Sequence, residues 1–553
     1  MEEIDLVIIG AGFHGLIAAK TCLDVYPSTR VIIYDSASSI GGVWAKENLY
    51  PGLKTNNMLG TYEFSDYPMD SETYGVKKGE HIPGAVVHHY LTNFTKHFGI
   101  YEKVRLETKV ESAEHCDGGG WIVTTSSSSS STLTSSTVLH TDEAKKSRVL
   151  ASKLIVATGL TTDPVIPIFE GSVDFKAPIL HSKYFARNLD SLENAERVTV
   201  LGGMKSAFDV AYAYAEMGVQ VEMIIRESGH GPMWIAPPYA TPFKLQVEKV
   251  ITTRLITCFS PCIWDFESGY KTIRPFLHTT ALGRYFVSKF WSTLESDIHY
   301  LNSYDSHPET TKLKPWTKIL FIGSINGVLN YEKDFFELVR SGIVRVHISD
   351  IASLDRKTVR LTNGESLESD ALVCCTGWKH TPPLTFLPNG IETKVGLPHP
   401  IDAATENISP LERRADEEIL SRFPSLRDQP PRNPKGKQLP GVPSTEGMSS
   451  YQLYRFIVPP SFICTRDIAF AGHMLSILTP TRAQIQALWI TAFFSGELPK
   501  FKAPLEGERM EVQYETVPQG WGGRFPESVF EEVAYFDVLL GDLGCEIWRK
   551  RGS

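Results

Sequence analysis

The 553 residues contain no stretch of about 18 uninterrupted apolar residues, so no membrane-spanning helix is expected. Cysteine is scarce. The eight cysteines are scattered, and neither Cys258 with Cys262 nor the adjacent Cys374 and Cys375 has zinc or disulfide-framework spacing. Cys374-Cys375 reads as a buried strand end, no metal site is expected, and a reducing compartment follows from this cysteine usage. Positive charge is also in deficit. A net charge of −9 argues against nucleic acid as a partner. The first strand begins at Ile4, which leaves no room for a signal peptide, so the expected location is cytoplasmic. Hydrophobic content of 42% and charged content of 22% are ordinary for a globular chain, and the length suffices for two or three domains.

What the sequence does have is one glycine-loop pattern, used twice. Ile8-Ile9-Gly10-Ala11-Gly12-Phe13-His14-Gly15 follows the apolar strand Leu6 to Ile9 and opens a helix, Leu16 to Cys22. Gly10 makes the tight turn, Gly12 admits a pyrophosphate, and Gly15 lets helix and strand pack closely. The phosphates then meet the free amides and positive dipole end of the helix. The next strand, Val31 to Tyr34, ends in Asp35, a carboxylate suited to a ribose hydroxyl and repulsive to a 2′-phosphate.

About 190 residues later comes Val200-Leu201-Gly202-Gly203-Met204-Lys205-Ser206-Ala207, between the strand Arg197 to Leu201 and a helix, Ala207 to Met217. Met204 stands where the first loop has Gly12, which makes close backbone approach less assured. The following strand, Val219 to Ile225, ends in Arg226, whose planar fork suits a 2′-phosphate. The alternative for Arg226 is a solvated strand end. On these residues FAD is expected at the first loop and NADPH at the second, with Gly202, Lys205, Ser206 and Arg226 as the second loop's binding residues.

Two similar strings, Leu154-Ile155-Val156-Ala157-Thr158-Gly159 and Ala371-Leu372-Val373-Cys374-Cys375-Thr376-Gly377, bracket the second loop. They suggest an α/β fold with two Rossmann-like dinucleotide-binding domains, one inserted in the other. The expected parts are 1–165 for the FAD domain, 166–370 for the NADPH domain with a helical insertion at about 228–320, and 371–553 for the rest of the FAD domain and a C-terminal extension. A serine-rich tract from Thr124 to Ser136 reads as a solvated hairpin extension. Asn407 to Thr445, rich in proline and charge, reads as a long surface connection. Ile468 to Gly472 reads as a strand and Thr481 to Phe494 as a helix, both completing the first domain. The run Phe286-Val287-Ser288-Lys289-Phe290-Trp291 is either core or a wall of an apolar substrate cavity or a subunit contact.

Several further strings carry a likeness. Gly41-Gly42-Val43-Trp44, then Leu53-Lys54-Thr55-Asn56, then Phe64-Ser65-Asp66-Tyr67-Pro68 are similar to motifs of flavin-containing monooxygenases. Phe175-Lys176-Ala177-Pro178-Ile179-Leu180-His181-Ser182-Lys183-Tyr184-Phe185 resembles that family's fingerprint, with Ala177 in place of its glycine. The chain therefore resembles the divergent flavin-containing monooxygenases of fungal specialised metabolism, and more loosely the Baeyer–Villiger monooxygenases, from Ile4 to about Phe494. Phe185 followed by Ala186 breaks the Baeyer–Villiger form of the fingerprint.

The resemblance implies that Gly42, Val43 and Trp44 lie along the flavin, that Val110 contributes to its site, and that Asn56 stands near the reactive flavin carbon. The alternative for Asn56 is a turn or helix cap. His181 is expected to organise the interdomain linker as a buried structural histidine. The implied reaction passes hydride from NADPH to FAD. A C4a-(hydro)peroxyflavin then inserts one oxygen atom of O2 into a small organic substrate, by heteroatom oxygenation, hydroxylation, epoxidation or, alternatively, Baeyer–Villiger oxygenation of a ketone. A flavin reductase or oxidase that does not oxygenate and a non-catalytic nucleotide-fold platform are the competing classes. A disulfide reductase would need a cysteine pair beside the flavin, and residues 36–60 have none.

Overall fold

The computed structural model describes residues 1–127, 145–189, 195–240, 244–262, 264, 272–321, 326–379, 381–400, 410–428, 433–442, 448–449, 451–499 and 529–547. In chain order the first elements that position the site are β1 (Glu2–Ile9), α1 (Phe13–Val25), β2 (Val31–Tyr34), β3 (Lys54–Met58), β4 (Val104–Arg105), β5 (Thr108–His115), β6 (Trp121–Ser127) and β7 (Lys145–Val156). After them come β8 (Ile179–His181), β9 (Arg197–Leu201), α2 (Lys205–Glu216), β10 (Gln220–Ile225), α3 (Ala281–Leu301) and β11 (Val344–Ile348). The last are β12 (Leu372–Cys374), β13 (Thr385–Leu387), α4 (Pro410–Arg422), β14 (Ile468–Phe470), α5 (Thr479–Ser495) and α6 (Glu532–Asp542).

Two sheets carry the molecule. The larger runs β13-β5-β6-β7-β1-β2-β4, with β14 also on β7. β1 pairs in parallel with β2 and β7, whereas β6 is antiparallel to both β5 and β7. The smaller sheet, β8-β12-β9-β10-β11, is parallel throughout. Both faces of a parallel sheet are covered, which is why β1, β2, β9 and β10 read as nearly continuous apolar runs.

Gly15, Ala18 and Ala19 are buried along α1, where it packs on α5. Helix α5 is buried on most of its faces, with Trp489, Ile490 and Phe493 in the core, and ends at Gly496 with a φ of +80°.

The topology explains how the two sheets are linked. Strand β7 of the larger sheet leads out to the smaller one, and β14 returns to pair with β7 at Ile468↔Leu154. The outgoing and returning chains lie side by side, Asp163–Pro164 pairing antiparallel with Trp378–Lys379. One boundary shifts. Leu372–Cys374, placed by the sequence reading at the start of the returning part, is instead an inner strand of the smaller sheet, because its apolar side chains fit between β8 and β9.

The expected surface connection at 407–445 also differs, since 410–422 is helical. Ile419, Phe423 and Leu426 recur at helical spacing and form a small buried cluster. Strands β6 and β7 pair as far as Ser127↔Lys145, and the serine tract between them lies outside the described residues. Among the described residues no helix is long and apolar enough to cross a membrane.

Candidate functional site

At the first loop the fold closes around two glycines and leaves a third open. Gly10 has a φ of +112°, and a Cβ there would strike the Ala157 carbonyl, while one on Gly15 would strike the Gly10 carbonyl. A Cβ on Gly12 meets nothing nearer than Gly42 Cα, at 3.7 Å. Gly42, with a φ of +61°, faces Gly12 across this gap. Gly12 is also the N-cap of α1, with no side-chain cap and no acidic residue in the first turn. The result is a backbone-walled cradle at the positive end of a helix, which fits a dinucleotide pyrophosphate.

Asp35 does more than its sequence position suggested. Its Oδ2 accepts from the Ala11 amide at 2.7 Å and its Oδ1 from the Ala37 amide at 2.8 Å. Burial pushes its carboxyl up, against the pull of those two amides. Asp35 therefore shapes the loop, and a ribose would have to share oxygens already bonded. Thr108 N donates to the Asp35 carbonyl at 2.9 Å, which brings the start of β5 to the same end of the cradle. The Val110 side chain is buried there beside an irregularity in the β5 register.

Beyond the cradle, Gly41 turns the chain at a φ of +130° into the short turn Gly42–Trp44. Val43 is exposed, whereas Trp44 is half-buried and donates from Nε1 to the Tyr62 hydroxyl at 3.1 Å. Trp44 and Tyr62 form one side of a cavity of about 420 Å3. Asn56, exposed on β3, lines the same side. Lys205 and Asp209 enter from α2, and Val529 and Phe530 from the C-terminal segment. Most of the apolar wall comes from the 228–320 region, including Trp234, Ile251 and Ile298. The aromatic run singled out in the sequence lies behind that wall. Phe290 stacks on Phe259 at 4.2 Å, and buried Trp291 meets Phe530 edge-on at 4.8 Å, while Phe286 is exposed.

The second loop is more enclosed. Gly202 has a φ of +152°, and a Cβ there would fall 2.7 Å from the Cys375 carbonyl. Gly203 is covered: its carbonyl accepts from Met233 N at 2.9 Å, and a Cβ on it would lie 2.9 Å from the Gly231 carbonyl. The Trp316 ring rests on Gly231 in turn. Met204 is the N-cap of α2, again without a side-chain cap, and Ser206 is the half-buried second residue of that helix.

Two of the expected ligands at this loop are already engaged. The Lys205 ammonium bonds Asp209, Asn330 Oδ1 at 3.0 Å and the Tyr331 hydroxyl at 3.2 Å. It therefore organises the cavity wall, and a phosphate at this loop would share the ammonium with these partners. Arg226 Nη1 donates to Ser228 Oγ at 3.1 Å and to the Lys437 carbonyl at 3.0 Å, with Asp350 at 3.9 Å. Arg226 stands at the end of β10 as expected, with part of its charge answered. The strand–loop–helix frame and Arg226 fit a nicotinamide dinucleotide phosphate.

Comparison with known proteins now decides the family. A profile described as "Flavin-binding monooxygenase-like" matches residues 4–257. A FAD-dependent monooxygenase of Pyrenophora dematioidea is 31% identical, over 99% of both chains. The FAD-dependent monooxygenase resA of Aspergillus sclerotiorum is 30% identical, over 99% of this chain and 94% of its own. The chain belongs to the flavin-binding, FAD-dependent monooxygenases. Solved structures share the fold of this monooxygenase. An open cyclohexanone monooxygenase superposes with a TM-score of 0.61 at 16% identity, over 98% of each chain. S-allyl-L-cysteine S-oxygenase from Allium sativum gives 0.53 at 16%, over 98% of this chain and 89% of its own.

His181 is the last residue of β8 and is fully buried. Its Nε2 pairs with the Gly377 carbonyl at 3.0 Å, its Nδ1 accepts from Lys183 N at 3.1 Å, and burial pushes its pKa down to about 4. It is a neutral brace between the ends of β8 and β12.

Two acids had no signal in the sequence, one lining this monooxygenase's cavity and one behind its wall. Glu248 is buried and accepts from Asn57 Nδ2 at 2.9 Å, Met58 N at 3.2 Å and Thr61 Oγ1 at 2.8 Å, so it fastens β3 to the 228–320 region. Burial raises its pKa. Glu532, the first residue of α6, accepts from Ser476 Oγ and from the amides of Ile477 at 3.2 Å and Leu478 at 3.0 Å. Helix α6 is itself held by Arg254–Asp537 and Arg455–Asp542 ion pairs. Both acids act through contacts far apart in the chain, and neither lies in a recognisable motif. Among the described residues no cysteine lines the cavity.

Proposed function

We propose that this monooxygenase uses FAD and NADPH to insert one oxygen atom of O2 into a small, largely apolar organic substrate held in the cavity of about 420 Å3. The observation that carries the reading is that one cavity is walled by Trp44 and Asn56 from beyond the first glycine loop, by α2 of the second, and by the apolar 228–320 region. In this reading Gly12 receives the FAD pyrophosphate, and Gly10 and Gly15 shape the loop that holds it. Asp35 and Val110 lie at its adenosine end, and Gly42, Val43, Trp44 and Asn56 along its ring system. Gly202 and Ser206 receive the NADPH pyrophosphate, with Arg226 at the 2′-phosphate.

Bound flavin supplies the acceptance of hydride and the activation of O2. The chain supplies position and dryness. Tyr62 fixes the Trp44 ring as a flat wall. Glu248 and Asn57 hold β3, on which Asn56 lines the cavity. Trp234, Ile251 and Ile298 keep water from the reacting atoms. The scarce, scattered thiols suit a reducing, cytoplasmic setting.

The test is NADPH consumption by the FAD-loaded protein under isotope-labelled O2, with a panel of small apolar substrates. One labelled oxygen atom in the product per NADPH consumed is expected. NADPH consumption that does not depend on O2 would overturn the reading in favour of a reductase.

A further inference from the structure

The cavity wall formed by residues 475–479 is backed by a buried polar network. Ser476 lines the cavity, and its hydroxyl is bonded to Glu532, which is almost wholly buried. The charge of Arg482 on α5, also buried, bears on Glu532, and its Nε donates to His14 Nε2 of the first glycine motif at 3.3 Å. Arg482 acts on Glu532 through its charge and not through a hydrogen bond, so the buried polar groups reach from His14 towards the cavity surface, where Ser476 is the member that lines the cavity. Its acidic member comes from the last fifty residues of the chain.

We propose that Glu532 is a positioning residue that acts through Ser476, holding a proton at its carboxyl and relaying it into the cavity. The inference rests on the oxygenase reading above. Oxygenation with NADPH and O2 consumes one proton per turnover, because the second oxygen atom leaves as water. When Glu532 is ionised, Ser476 Oγ–H donates to the carboxylate with which it is in contact. When Glu532 is protonated, the bond reverses: its O–H donates to Ser476 Oγ, and the serine hydroxyl is free to donate into the cavity. In the relay the Glu532 O–H bond breaks, Ser476 Oγ gains that proton, and its former proton goes to the departing oxygen. The hydride equivalent comes from NADPH, and Glu532 regains its proton from water between turnovers.

Burial pushes the Glu532 carboxyl up to about 7, against the pull of Arg482 and of the Ile477 and Leu478 amides. The groups that bear on the network are Arg482 on α5, His14 on α1, and Tyr62 and Tyr535, whose phenols face Arg482. His14 is held neutral by burial and by Arg482. Asp537 on the same helix is paired with Arg254.

The test compares Glu532→Gln, Glu532→Asp and Ser476→Ala with the wild type in two readouts. The first is infrared titration of the resting FAD-loaded protein, which follows a protonated carboxyl without turnover. A carboxyl band titrating near neutrality should disappear in Glu532→Gln and persist in Ser476→Ala. The second is the pH profile of product formed per NADPH consumed. Wild-type coupling should fall as pH rises through neutrality. Glu532→Gln and Ser476→Ala should both lose that step and release hydrogen peroxide, with oxygenation slowed about 100-fold, as for loss of a general acid. Glu532→Asp should restore part of the step.

A wild-type profile retained in Glu532→Gln or Ser476→Ala, or absence of the band from the wild type, would overturn the proposal. So would loss of FAD from Glu532→Gln accompanied by unchanged behaviour of Ser476→Ala, because Glu532 would then be structural only. If the wild type makes no oxygenated product yet shows the band, the oxygenase reading fails and the buried carboxyl stands.

Discussion

Gly12 and Met204 hold the same place in the two strand–loop–helix units, yet the loops meet different surroundings. At the first, a Cβ on Gly12 would find open space to 3.7 Å, and the facing wall is another glycine, Gly42. At the second, Met204 occupies that place, Met233 donates to the Gly203 carbonyl, and Trp316 lies over Gly231. The local rule is the same in both: a glycine turn at positive φ, a helix with uncapped amides, and a polar residue at the end of the next strand. The difference lies in what the rest of the chain packs on top. Asp35 and Arg226 extend the contrast. Asp35 is tied into its own loop, whereas Arg226 is shared between Ser228, the Lys437 carbonyl and Asp350.

The contrast can be broken most directly at Gly12. Gly12→Ala should fold normally, because no protein atom obstructs the new Cβ, yet bind FAD about 100-fold more weakly, on the order of 3 kcal/mol. Flavin absorbance per chain after gel filtration, with the unfolding curve of the flavin-free protein as control, measures both. Flavin retained at wild-type affinity would show that the pyrophosphate does not lie on Gly12. Next in size is Arg226→Ala. Loss of charge-assisted bonds worth about 1.5–3 kcal/mol should raise the KM for NADPH roughly 10- to 100-fold and leave that for NADH unchanged. Equal effects on both nucleotides would return Arg226 to the role of a solvated strand end.

The third test works in the opposite sense. Met204→Gly gives the second loop the first loop's residue and should lower the KM for NADPH by roughly fivefold, about 1 kcal/mol. An unchanged KM would place the limit on the Gly231–Met233 cover and not on Met204. The last test turns from binding to stability and concerns the buried histidines near the loops. His473 pairs with Thr158 at 3.5 Å beside the first loop, and burial pushes its pKa down to about 4, like that of His181. Both are neutral when folded, and the unfolded chain binds more protons between their ordinary value of 6.5 and about 4. Stability should therefore fall as pH drops through that window, by up to about 3 kcal/mol for each histidine. Urea midpoints for His181→Gln, His473→Gln and the wild type at neutral and mildly acidic pH measure the contributions.

Sequence reading succeeded where structure is local. The strands ending at Ile9, Tyr34, Leu201 and Ile225 were legible because parallel strands buried on both faces are continuous apolar runs bounded by glycine or charge. It went wrong at 407–445, where proline and charge outweighed the helical spacing of Ile419, Phe423 and Leu426. The partners of Lys205 were illegible for a different reason. A lysine at a helix start faces phosphate unless something else claims it, and Asp209, Asn330 and Tyr331 do so from as far as 126 residues away. Glu248 and Glu532 were invisible because an acid in an unremarkable helix becomes a buried group only through tertiary contacts.

The central claim is that the open first loop holds FAD and that NADPH reduces it for reaction with O2. The most direct measurement is to reduce the FAD-loaded protein anaerobically with NADPH, then mix it rapidly with O2 and record the flavin spectrum through reoxidation. The account predicts that NADPH bleaches the visible flavin band faster than NADH does. The band should then return only after a delay marked by transient near-ultraviolet absorbance. Bleaching by NADH alone, or immediate return of the oxidised spectrum with release of hydrogen peroxide even with substrate present, would contradict it.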